Sequence, residues 1–306
     1  MTQIADALGI SAVEQDTGVS KEKLRTWERR YGFPRPLRVA NGERVYPRDQ
    51  VEKLRMVRRL MDAGFRPGAL MEEGLEGLRA MGIVKGATAH SPPAFAAEID
   101  ALLLAIKRHD IDQLRNLLRW ELARLGIRQF TTELLSGLNE SVGLAWARGE
   151  ISIAEEHLYS EQVKSLLRSA TNQIMVKANG PRILLATLPG EQHGLGLLML
   201  EAILTIELAK CIPLGIQTPI SAIVGAASVC KAEVVAVSFS SAFPKRTALS
   251  SLRQLRDALP AEIPIWAGGE GVKGVRKRPD GVVMPMTLSS VGMELKNLRN
   301  GALLAK

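Results

Sequence analysis

Glu191, His193 and Gly196 stand in the string LATLPGEQHGLGLLML, residues 185–200. The spacing acid-x-His-x-x-Gly leaves four chemistries open for the imidazole: a packed core histidine, a general base, a metal ligand, or a contact to a bound anion. An acceptor on one ring nitrogen fixes the tautomer and makes the other nitrogen a stronger donor to a metal, so an acid two residues away matters. Ser238 and Ser240 come after 41 intervening residues, and Gly268-Gly269 after a further 27. Paired glycines let a bulky ligand approach the backbone.

Two other groups of residues carry chemistry. Trp146 is separated by nine residues from Glu156-His157. A carboxylate beside an imidazole near a helix start, opposite an indole, can line a ligand site at one end of a bundle. Taken alone, a Glu-His pair on a helix is more often a surface pair. Lys21, Lys23, Arg25, Arg29 and Arg30 share one helical face, opposite an apolar stripe of Leu24, Trp27 and Tyr31. Between Ser20 and Leu60 there are 13 Lys and Arg against 5 Asp and Glu, an excess equal to the whole-chain net charge of +8. A balanced chain with one short basic segment has the electrostatic footprint of a nucleic-acid-binding module.

The elements that must position these groups can be read from periodicity and breakers. The 306 residues are 46% hydrophobic, 24% charged and 4% aromatic, which suits two or three folded domains. No basic n-region precedes an apolar h-region, and apolar runs break short of the ~18–20 residues a span needs, so a cytoplasmic protein without a membrane partner is expected. Cys211 and Cys230 form no CxxC pair and read as reduced packing residues.

Residues 1–84 read as helix, turn, basic helix, wing, helix. Ser11 caps a first helix ending near Thr17, Gly18 makes the turn, and Ser20 caps the basic helix. Asn41-Gly42 is a hairpin signal with Arg38 and Arg44 flanking the tip, and Pro47 opens a helix that Gly64 ends. Residues 85–95, KGATAHSPPAF, read as a linker in which His90 is exposed. Residues 96–179 show four segments of helical spacing, a four-helix bundle. Residues 180–306 alternate the apolar runs RILLAT, IPLGIQ, EVVAVSFS, IPIWAGG and DGVVMP with helices starting near Gly194, Ser221, Lys245, Gly271 and Ser289. That predicts a five-stranded, flavodoxin-like (Rossmann-like) α/β domain with ligands at the carboxyl ends of its strands. On this topology His193 lies in the loop after the first strand and not in the core. A receiver domain would need an acidic cluster there, and a dinucleotide-binding turn a full G-x-G-x-x-G; neither is present.

These motifs carry three resemblances. The string GVSKEKLRTWERRYG with the NGERVY wing resembles the MerR-family winged helix-turn-helix domain, which binds operator DNA as a dimer. Glu191-x-His193-x-x-Gly196, Ser238-x-Ser240 and Gly268-Gly269 resemble the cobalamin-binding signature, with Ser240 in place of the usual leucine. In that family the histidine is the lower cobalt ligand, the acid binds its other nitrogen, and the serine and glycines line the slot for the displaced nucleotide tail. Trp146-x9-Glu156-His157 resembles the motif of the CarH/LitR-type MerR regulators, in which these residues surround the adenosyl group of adenosylcobalamin.

The resemblance implies a non-enzymatic, light-sensing repressor. In the dark, adenosylcobalamin holds a tetramer of paired dimers on operator DNA; light breaks the cobalt–carbon bond and releases both. Some members carry a histidine directly after the tryptophan, where this chain has Ala147. A light-independent cobalamin sensor is the alternative; a corrinoid shuttle subunit is disfavoured by the DNA-binding module.

Overall fold

The computed structural model describes residues 7–17, 19–39, 42–62, 65–86, 95–175, 179–275 and 278–304. Gly18, Asn41, Gly64, Lys177 and nearly all of the expected linker, His90 included, lie outside these residues. The chain forms two compact units, Met1–Ser91 with Val142–Ser152, and Pro92–Ser141 with Ile153–Lys306.

In the first unit, β1 (Leu8–Gly9) leads into α1 (Ile10–Thr17) and α2 (Lys21–Tyr31). The first helix starts at Ile10, one residue before the expected cap Ser11. Ser20 does cap α2, its Oγ accepting from the Lys23 N–H at 3.3 Å, and Gly32 closes the helix at φ 65°. The wing is β2 (Leu37–Arg38) against β3 (Arg44–Tyr46), and β1 adds on the other side, giving the order β1-β3-β2. A two-residue strand has too little periodicity to be foreseen. Three helices come next, α3 (Arg48–Asp62), α4 (Pro67–Met71) and α5 (Leu75–Gly86). Leu24 and Trp27 of α2 are buried with Val13, Tyr46, Leu54, Leu60 and Leu78 in one core. Each such side chain contributes roughly 1.5–3 kcal/mol by burial. This core faces the apolar stripe of α2 and leaves its basic face outward.

The second unit opens with α6 (Ala96–Lys107), α7 (Ile111–Gln129), a π-helical segment Phe130–Leu134, α8 (Leu135–Ala147, which runs on into the first unit) and α9 (Ile153–Met175). Gly126, at φ 72° and ψ 162°, breaks the helical path between the second and third predicted segments, in a region open essentially only to glycine. Tyr159 of α9 is fully buried and its hydroxyl is hydrogen-bonded to Asn139 Oδ1 of α8, whose Nδ2 lies 3.2 Å from Met199 Sδ.

The rest is a parallel sheet, β4 (Arg182–Ala186), β5 (Lys210–Gly215), β6 (Val234–Ser238), β7 (Ile265–Gly268) and β8 (Val282–Met286), in the order β5-β4-β6-β7-β8. This is the doubly wound 2-1-3-4-5 arrangement, with its switch point between β4 and β6. Leu184, Ala186, Val235 and Val237 face a core shared with α11 (Ile220–Val229) and α12 (Lys245–Ala258). Ile183, Leu185, Val234 and Ala236 face α10 (Leu195–Ile206) and α13 (Val291–Leu304). Both faces of the inner strands are covered, which is why β4, β6 and β7 are almost wholly apolar. The helix expected near Gly271 is only a 3-10 turn, Glu270–Val272: Gly274, Pro279 and Gly281 interrupt the stretch between it and β8. Among the described residues no helix is long and apolar enough to cross a membrane.

Candidate functional site

The loop after β4 is built by residues that turn the backbone and hide a carboxylate. Gly190 takes φ 88°, and the buried Thr187 Oγ1 donates to the Glu191 carbonyl at 2.8 Å while accepting the Gln217 N–H at 2.8 Å. The Glu191 side chain is thereby carried inward and is 1% exposed. Its Oε1 accepts from the His193 backbone N–H at 2.9 Å and lies 2.8 Å from His193 Nδ1. Its Oε2 accepts from the Ser240 N–H at 2.8 Å and from Ser240 Oγ at 2.9 Å. Burial alone would push the carboxyl up; the donors from His193 and Ser240 outweigh it and hold Glu191 below the usual carboxylate range. His193 itself is half exposed, as expected for a loop at the carboxyl edge of the sheet.

Ser238, Gly196, Gly268 and Gly269 meet at the same edge. A Cβ on Gly196 would lie 2.9 Å from Ser238 Oγ, so glycine lets the first turn of α10 rest against the end of β6. At Gly268 and Gly269 the space a Cβ would need is filled by the Met286 and Phe239 carbonyls, at 2.5 Å and 2.2 Å. These two glycines are therefore required by main-chain packing, whatever ligand lies nearby. Gly271, read from the sequence only as a helix start, is held the same way: a Cβ there would lie 2.4 Å from the Ser240 carbonyl. Thr187 was also missed: a lone threonine after a strand carries no periodic or motif signal. Ser240, expected in the tail slot, is turned onto Glu191, because its hydroxyl finds a buried carboxylate within reach.

Trp146 lies in the last turn of α8, and its Nε1 is buried with no hydrogen-bond partner among the described residues. Glu156 and His157 lie in the first turns of α9, where a carboxylate is favoured by the helix dipole. Glu156 Oε1 accepts from Ser160 Oγ at 2.7 Å, and the half-buried Glu156 lies 3.7 Å from the exposed His157 Nε2. His109, without an assigned role, sits 3.4 Å from Glu155 Oε1.

On the first unit Lys23, Arg25, Arg29, Arg30 and Arg38 are exposed. Lys21 is tied to Glu14 at 3.6 Å and Arg44 to Glu28 at 3.3 Å. Two braces join their neighbours to α3, one from the segment between α2 and β2 and one from α1. Gln50 accepts from the Arg35 N–H at 2.6 Å and donates to its carbonyl at 2.9 Å, and Arg55 grips Asp16 with bonds of 2.8 Å and 2.7 Å.

Residues 8–72 match the MerR HTH family regulatory protein model, and residues 98–170 match the B12 binding domain model. The chain is 32% identical over 269 residues to the HTH-type transcriptional repressor CarA of Myxococcus xanthus, covering 87% of this chain and 88% of that one. It is 29% identical to the repressor CarH of the same organism over 86% and 89% of the two chains. The fold of the second unit is similar to the monomethylamine corrinoid protein of Methanosarcina barkeri, with TM-score 0.51 and 17% identity, covering 67% of this chain and all of that one. The class is thus a MerR-type transcriptional repressor with a B12-binding domain, a regulator and not an enzyme. Within that class, the chain belongs to the family of CarA/CarH-type repressors.

Proposed function

We propose that this repressor senses light through adenosylcobalamin, with His193 as the lower cobalt ligand. The observation that carries the reading is the buried Glu191 carboxylate 2.8 Å from His193 Nδ1, which directs coordination to Nε2 and raises its donor strength. An axial cobalt ligand needs one accessible imidazole nitrogen with an acceptor held on the other. The half-exposed His193 beside a hidden carboxylate fits that donor requirement, and Trp146 Nε1, without a partner among the described residues, offers a donor on the bundle.

The roles divide by module, over 1–84 for DNA, 96–179 for the upper face and 180–306 for the corrinoid, with 85–95 as linker. Glu191, His193, Gly196, Ser238, Ser240, Gly268 and Gly269 serve the lower face and tail. Trp146, Glu156 and His157 recognise the adenosyl group. Lys21, Lys23, Arg25, Arg29, Arg30, Arg38 and Arg44 contact operator DNA, in the cytoplasm. Adenosylcobalamin, when bound, supplies a cobalt–carbon bond that visible or near-ultraviolet light breaks. The dark form is a tetramer of paired dimers whose multivalency secures the operator, and illumination dissolves it. Ala147 means that no imidazole from the position after Trp146 takes the vacated side.

The test is size-exclusion chromatography with absorption spectra on protein mixed with adenosylcobalamin in the dark and again after green light. A coloured higher oligomer that falls to smaller species on illumination is expected. Cobalamin binding with a light-independent size sinks the light reading and leaves a ligand sensor; no binding sinks the assignment of His193.

A further inference from the structure

Position 240 is where this chain departs from the cobalamin signature, and it is also where the structure adds a bond. The Glu191 carboxylate, 1% exposed, has little access to water, so its donors come from the chain. His193 supplies two of them to Oε1, and Ser240 supplies its N–H and its hydroxyl to Oε2 at 2.8 Å and 2.9 Å. A leucine here would keep the N–H and lose the hydroxyl.

The seryl oxygen also lies 3.1 Å from Glu191 Oε1 and 3.1 Å from His193 Nδ1, so it closes a triangle with the acid and the imidazole. Ser240 is itself held in place by the strand ends beneath it. Phe239 N–H donates to the Gly268 carbonyl at 3.0 Å, the Phe239 carbonyl accepts from Gly271 N–H at 3.0 Å, and Gly271 leaves no room for a side chain against the Ser240 carbonyl.

We infer that Ser240 is a positioning residue for the axial histidine: its hydroxyl pins Glu191 Oε2, so that Oε1 is presented to His193 Nδ1 and the ring is held in one orientation. This rests on the proposed role of His193 and assigns Ser240 to the Glu191–His193 pair in place of the nucleotide-tail slot. Without the hydroxyl, Oε2 keeps only the Ser240 N–H, and the carboxylate and the imidazole it orients are held less firmly. A charge-assisted hydrogen bond of this kind sets an equilibrium by about tenfold.

The experiment uses the full chain grown with nitrogen-15 histidine, loaded with hydroxocobalamin and reduced to cobalt(II), read by electron paramagnetic resonance. Axial His193 splits the cobalt lines into doublets, the corrinoid's own nitrogen-14 base gives triplets, and a missing axial nitrogen gives no splitting. In S240A and S240L the ratio of doublet to other forms is expected to fall about tenfold, and S240T is expected to restore it. Cooperative thermal unfolding of the unloaded variants verifies that they fold. A folded S240A with the unchanged doublet ratio of the parent chain overturns the role of Ser240 and leaves His193 as ligand. A parent chain without doublets overturns both.

Discussion

Glu191 Oε1 accepts from the His193 backbone N–H at 2.9 Å and stands 2.8 Å from the same residue's ring Nδ1, so one buried oxygen fixes both ends of the residue proposed to hold cobalt. A glutamine could keep that oxygen, but its NH2 would then face the Ser240 N–H, donor against donor. E191Q should weaken cobalamin binding by about 10–100-fold. Spectroscopic titration measures it, and unchanged affinity would remove Glu191 from the site.

The same carboxylate should leave a mark on stability without any ligand. Burial opposes its ionisation, yet the bonds from His193 and Ser240 hold its pKa below the ordinary value. A carboxyl depressed by folding stabilises above its unfolded pKa of about 4.3, and that contribution disappears as pH falls through the lower folded value. The parent chain should therefore lose stability between neutral pH and the region below about pH 4 more steeply than E191Q. Urea unfolding across that range gives the two slopes; parallel curves would contradict the assignment.

Gly269 has φ 95° and ψ 168°, and a Cβ there would meet the Phe239 carbonyl at 2.2 Å. Gly274 also has positive φ, at 74°, but among the described residues nothing lies within 4 Å of where a Cβ would stand. Gly269→Ala is expected to cost about 2–4 kcal/mol and Gly274→Ala about 1 kcal/mol, the difference being the clash. Equal losses in denaturant titrations would mean that only the backbone angle matters.

Arg25 and Arg29 are exposed on α2, on the side away from Leu24 and Trp27. R25A and R29A should fold normally and bind operator DNA more weakly. Each lost phosphate contact should flatten the plot of log affinity against log salt by about 0.9. Fluorescence anisotropy at several salt concentrations decides it; an unchanged slope would place these residues off the DNA backbone.

The buried Nε1 of Trp146 has no partner among the described residues, the condition of a donor awaiting a ligand. W146F keeps the ring and removes the donor. Its preference for adenosylcobalamin over hydroxocobalamin in the dark should fall about tenfold. Competition binding followed by absorption tests this, and a retained preference would dismiss the indole N–H.

Much of this protein was legible in the sequence because its signals are local. The stripe of Leu24 and Trp27, the cap at Ser20, the apolar runs of β4 to β8 and the acid-x-His spacing each depend on neighbours a few residues apart. Periodicity names the buried face of a helix, and a continuous apolar run names a strand covered on both sides. What the tertiary structure alone decided are pairings across long separations. Thr187 meets Gln217, Gly269 makes room for Phe239, Gln50 braces Arg35, and Ser240 reaches Glu191 across 49 residues. No periodic pattern encodes such contacts. Those of the second unit exist because the parallel sheet brings the carboxyl ends of β4, β5, β6 and β7 to one edge, where a buried carboxylate must find its hydrogen-bond donors.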